Sequence, residues 1–486
     1  MSRTAPIAET LLVSILALAV PRVDAANDPP AKPNLLVILA DQWRADALGY
    51  AGDPNVQTPY LDRLARESVN FTRAVANCPV CCPTRASLMT GQRPLTHGVF
   101  LNDISLPDKA VTIAEVLQAA GYETGYIGKW HLDGRGRSNF TPPERRQGFH
   151  YWKALECTHD YNQSFYFADD PTRLVWQGYD AIAQTRDAEE YVRAQAASGR
   201  RFALFLAWGA PHNPYHTAPD EYRARYEPDD IRLRPNVPEK FAIPARRELA
   251  GYYAHCTALD DLVGELWETL KRAGIEENTI IVFTSDHGDM LYSQGEVRKQ
   301  KPWEESIRVP MLVHWPAGLR RAGRPLDAAF NSEDLLPTLL GLMGVVVPET
   351  VEGHDLSGAM RGQETSFDDA SLVTCVSPFG EWSRQHGGRE FRGIRTSRYL
   401  YVRDLSGHDR SRHDLSAPWL LYDMEADPYQ MRNLCNQVEH AAVQARLDAQ
   451  LERKLAETND KFLPGPKYIE QFGYQVDATG TVPYTP

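Results

Sequence analysis

One run of this chain, Asn34-Leu-Leu-Val-Ile-Leu-Ala40, is almost wholly apolar and ends abruptly at Asp41. Similar runs recur at Phe202–Ala207, Ile280–Phe283 and Val309–His314. A strand with one wet face alternates apolar and polar residues, whereas a run apolar on both faces suits a parallel strand covered by helices on either side. Amphipathic stretches lie between the runs: Thr112–Ala120, stopped by Gly121, and Leu249–Arg272, stopped near Gly274. Strand and helix alternate in this way down to about residue 365, with no internal repeat or low-complexity stretch. The pattern predicts an α/β fold with a large, mainly parallel sheet flanked by helices.

After that point the pattern changes. Phe391–Val402 reads as a hairpin, Trp419–Tyr422 as another short strand and Val438–Asn459 as a charged helix. Together they predict a smaller C-terminal α+β unit with a short antiparallel sheet, and a Gly-, Pro- and Tyr-rich tail lying across the surface. At the other end, Arg3 precedes an apolar stretch, Leu11–Val20, too short to span a bilayer, and a small-residue site follows at Val23-Asp24-Ala25. The expected organisation is therefore an export signal at 1–25, a catalytic domain at 26–365 and a C-terminal subdomain at 366–486. The mature protein is expected to be exported, periplasmic or secreted, with no membrane span.

Composition narrows the function. A net charge of −12 argues against a non-specific nucleic-acid binder, so an anionic ligand would need a local basic pocket. Seven cysteines in 486 residues do not make a disulfide scaffold. Three of them crowd into Cys78, Cys81 and Cys82, without the paired Cys or His partners that a structural zinc site requires.

In open α/β sheets ligands bind beyond the carboxyl ends of the strands, so the residues that follow each apolar run carry the interest. Asp41 and Gln42 follow the first run; Asp286 and His287 follow the third. Two carboxylates, an amide oxygen and an imidazole can hold a divalent cation, and the oxygen majority favours a hard ion. The same residues also serve as simple helix caps in other proteins. Cationic groups stand at neighbouring strand ends: Lys129 and His131 after Tyr122–Gly128, His212 after the second run, and Lys299 shortly after Asp286. A metal with several cationic donors is what an oxyanion ester needs, because charge on its oxygens must be neutralised in the transition state.

The most specific segment is Cys81-Cys82-Pro83-Thr84-Arg85-Ala86-Ser87-Leu88-Met89-Thr90-Gly91. It resembles the signature of the type I, formylglycine-dependent sulfatases of the alkaline-phosphatase-like superfamily. The resemblance extends along most of the chain. Ala40-Asp41-Gln42 and Thr284-Ser285-Asp286-His287-Gly288 resemble the family's two metal motifs. Gly128-Lys129-Trp130-His131 is similar to its Gly-Lys-Trp-His block, and Pro211-His212 to the histidine that meets the sulfate. Lys299, before Trp303-Glu304 and Arg308-Val309-Pro310, resembles the second active-site lysine, with Lys301 its rival. Leu421-Tyr422-Asp423, Asp427-Pro428 and Asn433-Leu434 look like its C-terminal strand block. Gln42 and His287 depart from the best-known members, which carry Asp and Asn there.

That resemblance implies the following. Cys81 would be converted to formylglycine by a maturation enzyme, and its hydrate would be the nucleophile. Asp41, Gln42, Asp286, His287 and residue 81 would hold one divalent metal, calcium first with magnesium or manganese behind. Arg85 and Lys129 would orient the hydrate, His212 or Lys299 would assist the leaving oxygen, and His131 would deprotonate the second hydroxyl. The substrate would be a sulfate ester, a sulfated carbohydrate before a small aryl sulfate, and the aromatic stretch Tyr151–Phe167 either stacks on sugar rings or packs locally. Two alternatives stay open: a phosphonate monoester or phosphodiester hydrolase with the same nucleophile, and a sulfated-glycan-binding protein without turnover.

Overall fold

The computed structural model describes residues 1–2, 32–319, 323–363, 369–405 and 416–484. The segment expected to be cleaved at 1–25 falls, beyond Ser2, outside the described residues, as does the expected boundary between 365 and 366. Lys32–Pro486 form one compact unit. In chain order its strands are β1 (Asn34–Asp41), β2 (Val69–Val75), β3 (Glu123–Lys129), β4 (Tyr151–Leu155) and the two-residue β5 (Phe165–Tyr166) and β6 (Leu174–Val175). There follow β7 (Phe202–Pro211), β8 (Thr279–Ser285), β9 (Met311–His314) and β10 (Arg324–Asn331), then β11 (Ser371–Cys375), β12 (Phe391–Arg395), β13 (Tyr399–Asp404) and β14 (Ala417–Asp423).

Eight strands make the main sheet, in the order β10-β2-β9-β8-β1-β7-β3-β4. Strand β1 lies at its centre, parallel to both β7 and β8. Its side chains alternate between two cores: Leu35, Val37 and Leu39 face one layer, and Leu36, Ile38 and Ala40 face the other. That double burial is what the continuous apolar run encodes, and each fully buried leucine or isoleucine stabilises the fold by about 1.5–3 kcal/mol. One layer contains the 31-residue helix Ala242–Arg272, the other the helices Cys81–Thr90, Ile113–Ala119 and Leu335–Met343. Thr112 starts the third of these with a reciprocal capping box to Glu115.

The run at Val309–His314 belongs to the sheet but runs the other way: β9 is antiparallel to both β8 and β2. The chain leaves β8 at one edge of the sheet and re-enters beside it without a crossover helix, so the direction must reverse. Burial on both faces looks the same in either direction, which is why the run alone does not reveal it. Strands β2 and β10 carry Thr72, Arg73 and Asp327 among their apolar residues, which masks them in the sequence. Pro325 is tolerated because β10 is an edge strand.

The second sheet, β11-β12-β13-β14, is antiparallel throughout. One of its faces packs Ile394, Tyr401 and Leu421 against Leu447, Leu451 and Leu455 of the helix Ala441–Glu457. The other packs Val373, Phe391 and Val402 against Met290, Trp303 and Ile307. Those three residues flank Lys299, so the small sheet holds the loop that delivers this lysine. Arg392, fully buried on β12, pairs with Asp460, whose carboxylate also accepts from the Tyr468 hydroxyl at 2.7 Å. Removing the guanidinium strands a buried carboxylate. Arg392→Ala is expected to lower unfolding stability by about 3–5 kcal/mol in denaturant titration, and a loss below about 1 kcal/mol would contradict the pairing's role.

Candidate active site

The sheet's register gathers the site. Ala40 of β1 lies opposite Ser285 of β8, Asp41 opposite Pro211 of β7, and Gly128 of β3 opposite Ala207 of β7. The residues that follow these four adjacent strands therefore emerge at one edge. The chain turns sharply there: Gln42 and His131 adopt left-handed backbone angles of 69° and 58° in φ, which non-glycine residues rarely tolerate. Gln42 is held in place by its own N–H, donated to Asp286 Oδ1 at 3.1 Å, and by the Tyr252 hydroxyl, donated to its carbonyl at 3.0 Å. Gly128 has φ of 102°, and a Cβ there would lie 2.1 Å from the Ala207 carbonyl oxygen, so only glycine lets β3 deliver Lys129.

Cys81 opens the helix Cys81–Thr90, a helix buried on every side. Pro83 fits its first turn, where no intrahelical N–H is needed. The Cys81 sulfur lies 3.2 Å from Lys299 Nζ, 3.3 Å from His287 Nε2, 3.7 Å from Lys129 Nζ and 3.8 Å from Asp41 Oδ1. Burial and Asp41 push its pKa up, but Lys129, Lys299 and His287 outweigh them and bring the thiol well below its ordinary value. A helix N-terminus ringed by cations is a place built for negative charge.

Asp41 and Asp286 are fully buried and clamped by Arg85, which donates to Asp286 at 2.9 Å and to Asp41 at 3.1 Å. The third arm of the guanidinium donates to the Lys129 carbonyl at 2.7 Å, so Arg85 is committed to holding the site rather than free to meet a ligand. Lys129 Nζ donates to Asp41 at 2.6 Å. Burial raises the Asp41 pKa, yet Lys129 first, with Arg85 and other cations, keeps it well below the usual carboxylate value. Asp286 is raised, by burial and by Asp41 beside it.

The donor set fits a hard cation. His287 Nδ1 donates to the Gly288 carbonyl at 2.9 Å, leaving Nε2 turned toward Asp41 Oδ1 and Asp286 Oδ1, each at 3.6 Å. Ligand atoms of Asp41, Cys81, Asp286 and His287 all lie within 4.8 Å of one another. Carboxylate oxygens converging in a dry pocket repel unless a cation lies among them. The Gln42 amide sits beside this group: Nε2 donates to Asp289 at 2.7 Å, and Oε1 accepts from Lys299 Nζ at 3.0 Å.

A cavity of about 360 Å³ opens onto this group, and Lys129, His131, His212, Lys299 and Lys301 all line it. His212 Nδ1 donates to the Asn213 carbonyl at 2.8 Å, and its Nε2 faces Lys299 Nζ at 2.7 Å. Burial first, and then the neighbouring Lys299, push the His212 pKa well below the ordinary imidazole value. His131 Nε2 meets Asp103 Oδ1 at 3.2 Å, while its Nδ1 is buried without a hydrogen-bond partner. Of the two rival lysines, only Lys299 touches Cys81. Lys301 Nζ turns to the Lys299 carbonyl at 3.1 Å and lies over the Trp382 ring at 4.2 Å, and burial lowers its pKa to about 8.

One expectation needs correction and one open alternative is decided. The tail does not merely cross the surface: Thr481 and Tyr484 line the cavity, and Arg137 stacks on Tyr484 at 3.8 Å. The aromatics of Tyr151–Phe167 pack locally, Trp152 with Tyr126, Tyr166 with Trp176 and Phe167 with Phe140; from that stretch only Cys157 and His159 reach the cavity. The sequence reading also missed His159, which stacks on His212 at 4.7 Å, and the Asp289–Tyr215 pair that anchors Gln42. Asp289, two residues beyond His287, was visible as part of the second metal motif's flank; His159 carried no signal at all.

Comparison with known proteins identifies the family and the fold. The Sulfatase family profile matches residues 33–345, and the profile of the N-sulphoglucosamine sulphohydrolase C-terminal region matches 295–457. An ulvan-active sulfatase of Formosa agariphila is 46% identical over 452 residues, covering 92% of this chain and 86% of its own. An endo-4-O-sulfatase of Bacteroides thetaiotaomicron is 29% identical, covering 83% of this chain and 88% of its own. The solved structure of a sulfatase candidate from Bacteroides fragilis superimposes with a TM-score of 0.80 at 32% identity, over 92% of this chain and 99% of the other. A profile spanning most of the chain, a 46%-identical relative and a shared fold place the protein in the sulfatase family, as a sulfatase enzyme.

Proposed function

We propose that this sulfatase is exported and hydrolyses sulfate esters of a sulfated carbohydrate, with residue 81 converted from cysteine to formylglycine and one divalent cation beside it. The observation that carries the reading is the setting of Cys81: a helix N-terminus with two lysines, a histidine and a carboxylate within 3.8 Å of its sulfur. The similarity to an ulvan-active sulfatase and to an endo-4-O-sulfatase supports a sulfated carbohydrate as substrate. The apolar segment at Leu11–Val20 supports export.

Asp41, Gln42, Asp286 and His287 would hold the cation, calcium first with magnesium or manganese behind, given three oxygen donors and one nitrogen. When bound, it would neutralise charge on the sulfate oxygens. A formylglycine hydrate supplies two hydroxyls on one carbon, one to attack sulfur and one to expel sulfate afterwards, an exit that serine or cysteine lacks. The chain's own residues do the rest. Lys129, fixed by Asp41, and Lys299, fixed by Gln42 and His212, face position 81 from two sides and balance charge on the transferring group. Lys299, with His212 behind it, would deliver a proton or a hydrogen bond to the departing oxygen. His131 would take the proton of the second hydroxyl, steadied by Asp103.

His212→Ala is expected to lower kcat/KM by about 10²–10³-fold on esters of sugar alcohols and by less than about tenfold on an activated aryl sulfate. Equal losses on both would assign His212 to binding instead. The reading as a whole is tested by a screen of sulfated mono- and oligosaccharides with phosphate diesters and phosphonate monoesters run in parallel. Preference for the sulfated sugars supports it, and preference for the phosphorus esters would replace it with the hydrolase alternative.

A further inference from the structure

A second cavity, of about 410 Å³, adjoins the catalytic one, and Asn213 and Arg298 line both. Its floor is built from Tyr215 and Tyr226, both buried, with Pro214, Ala250 and Gly251 beside them. Its rim is cationic. Arg223, Arg247, Arg298 and His216 stand there against one carboxylate, Glu248. That carboxylate is already engaged by Arg298 at 3.1 Å and by the Tyr292 hydroxyl at 3.2 Å. Arg298 is engaged in turn, through Glu248 and the Tyr215 hydroxyl at 2.9 Å.

The other two arginines are not spent in this way. Among the described residues Arg223 pairs only with Asp220, an exposed carboxylate of its own turn. Arg247, exposed on the helix Ala242–Arg272, offers a guanidinium with no ion pair or hydrogen bond among the described residues. In a chain of net charge −12, a cationic excess at the mouth of the active site is a local device rather than a general property of the surface. Neither arginine contacts Cys81 or the groups around it, so the chemistry at that residue leaves them unexplained.

We infer that this groove binds the sugar next to the one carrying the scissile ester, and that Arg223 and Arg247 recognise an anionic group on it, a carboxylate or a second sulfate. The inference rests on the carbohydrate-sulfatase reading above and deepens it. An apolar floor suits the face of a sugar ring, and guanidinium forks match the planar or tetrahedral oxygens of such anions. The substrate is then at least a disaccharide with two negative groups, and recognition is shared between a catalytic cavity that takes the ester and a neighbouring groove that takes the next anion.

Calorimetric titration of the full chain with three hexasaccharides tests this. Hexagalacturonate carries carboxylates, sulfated maltohexaose carries sulfates, and maltohexaose is neutral. The better anionic hexamer is expected to bind at least about tenfold more tightly than the neutral one, and which of the two it is tells carboxylate from sulfate. Arg223→Gln combined with Arg247→Gln, both exposed changes, is expected to weaken that binding by about tenfold while inorganic sulfate binds the catalytic cavity as before. Equal affinity for charged and neutral hexamers, or a double variant that binds like wild type, overturns the groove. Sulfate-ester turnover measured alongside separates the two readings: a groove that fails in an active sulfatase removes only the subsite, while wild type without turnover removes the reading beneath it.

Discussion

Cys81→Ala and Cys81→Ser are both expected to fold and to lose about 10⁴-fold or more in kcat, in a host whose maturation enzyme acts only on cysteine. The side chain is small and buried, so alanine and serine fit without displacing the helix that begins there. What they remove is the carbon that would carry two hydroxyls. Serine keeps one, enough to attack sulfur but not to release the product. Cys82→Ala separates this from a general effect of cysteine loss at the same turn. The Cys82 sulfur accepts the Asp103 N–H at 3.3 Å, and its burial raises the thiol's pKa where Cys81 is lowered. Cys82→Ala is expected to stay within about tenfold of wild type. Activity in Cys81→Ala, or its loss in Cys82→Ala with Cys81 intact, would move the nucleophile elsewhere.

Exhaustive removal of divalent ions is expected to abolish turnover, by about 10³-fold or more, and add-back of calcium, magnesium and manganese in turn is expected to restore it, calcium best. The reason lies in the facing acceptors: two buried carboxylate oxygens and the His287 Nε2 converge, and Arg85 reaches only the outer oxygens, Asp41 Oδ2 and Asp286 Oδ2. The inner oxygens, Asp41 Oδ1 and Asp286 Oδ1, face His287, and only the second takes a backbone N–H, that of Gln42, so both keep a lone pair for a cation. Full turnover in protein shown by elemental analysis to be metal-free would end the metal assignment, whichever ion was favoured.

Much of this arrangement was legible in the chain. Strands β1, β7 and β8 showed as apolar runs because both their faces are buried, and the residues ending them are the ones the register of the sheet brings together. The short motifs were legible because chemistry fixes residue types: glycine at 128 for close backbone approach, proline at 83 for the first turn of a helix. What stayed hidden depends on contacts far apart in sequence. His159 lies 53 positions before the ring it stacks on, Tyr484 reaches Arg137 from the far end of the chain, and β9 reverses direction without any change in its apolar pattern. Arg85 was expected to orient the nucleophile, and in the structure its guanidinium is taken up by the two carboxylates it clamps, Asp41 and Asp286. Arg223 and Arg247 look like ordinary surface charges in the sequence, and only the groove they border sets them apart.

Peptide mass spectrometry of the active enzyme tests the central claim most directly. The peptide containing Cys78, Cys81 and Cys82 is expected to carry an aldehyde, or its hydrate, at position 81 alone, with thiols at 78 and 82, and specific activity is expected to rise in proportion to the modified fraction across preparations. An unmodified thiol at position 81, in enzyme whose activity scales with that thiol, would contradict the account.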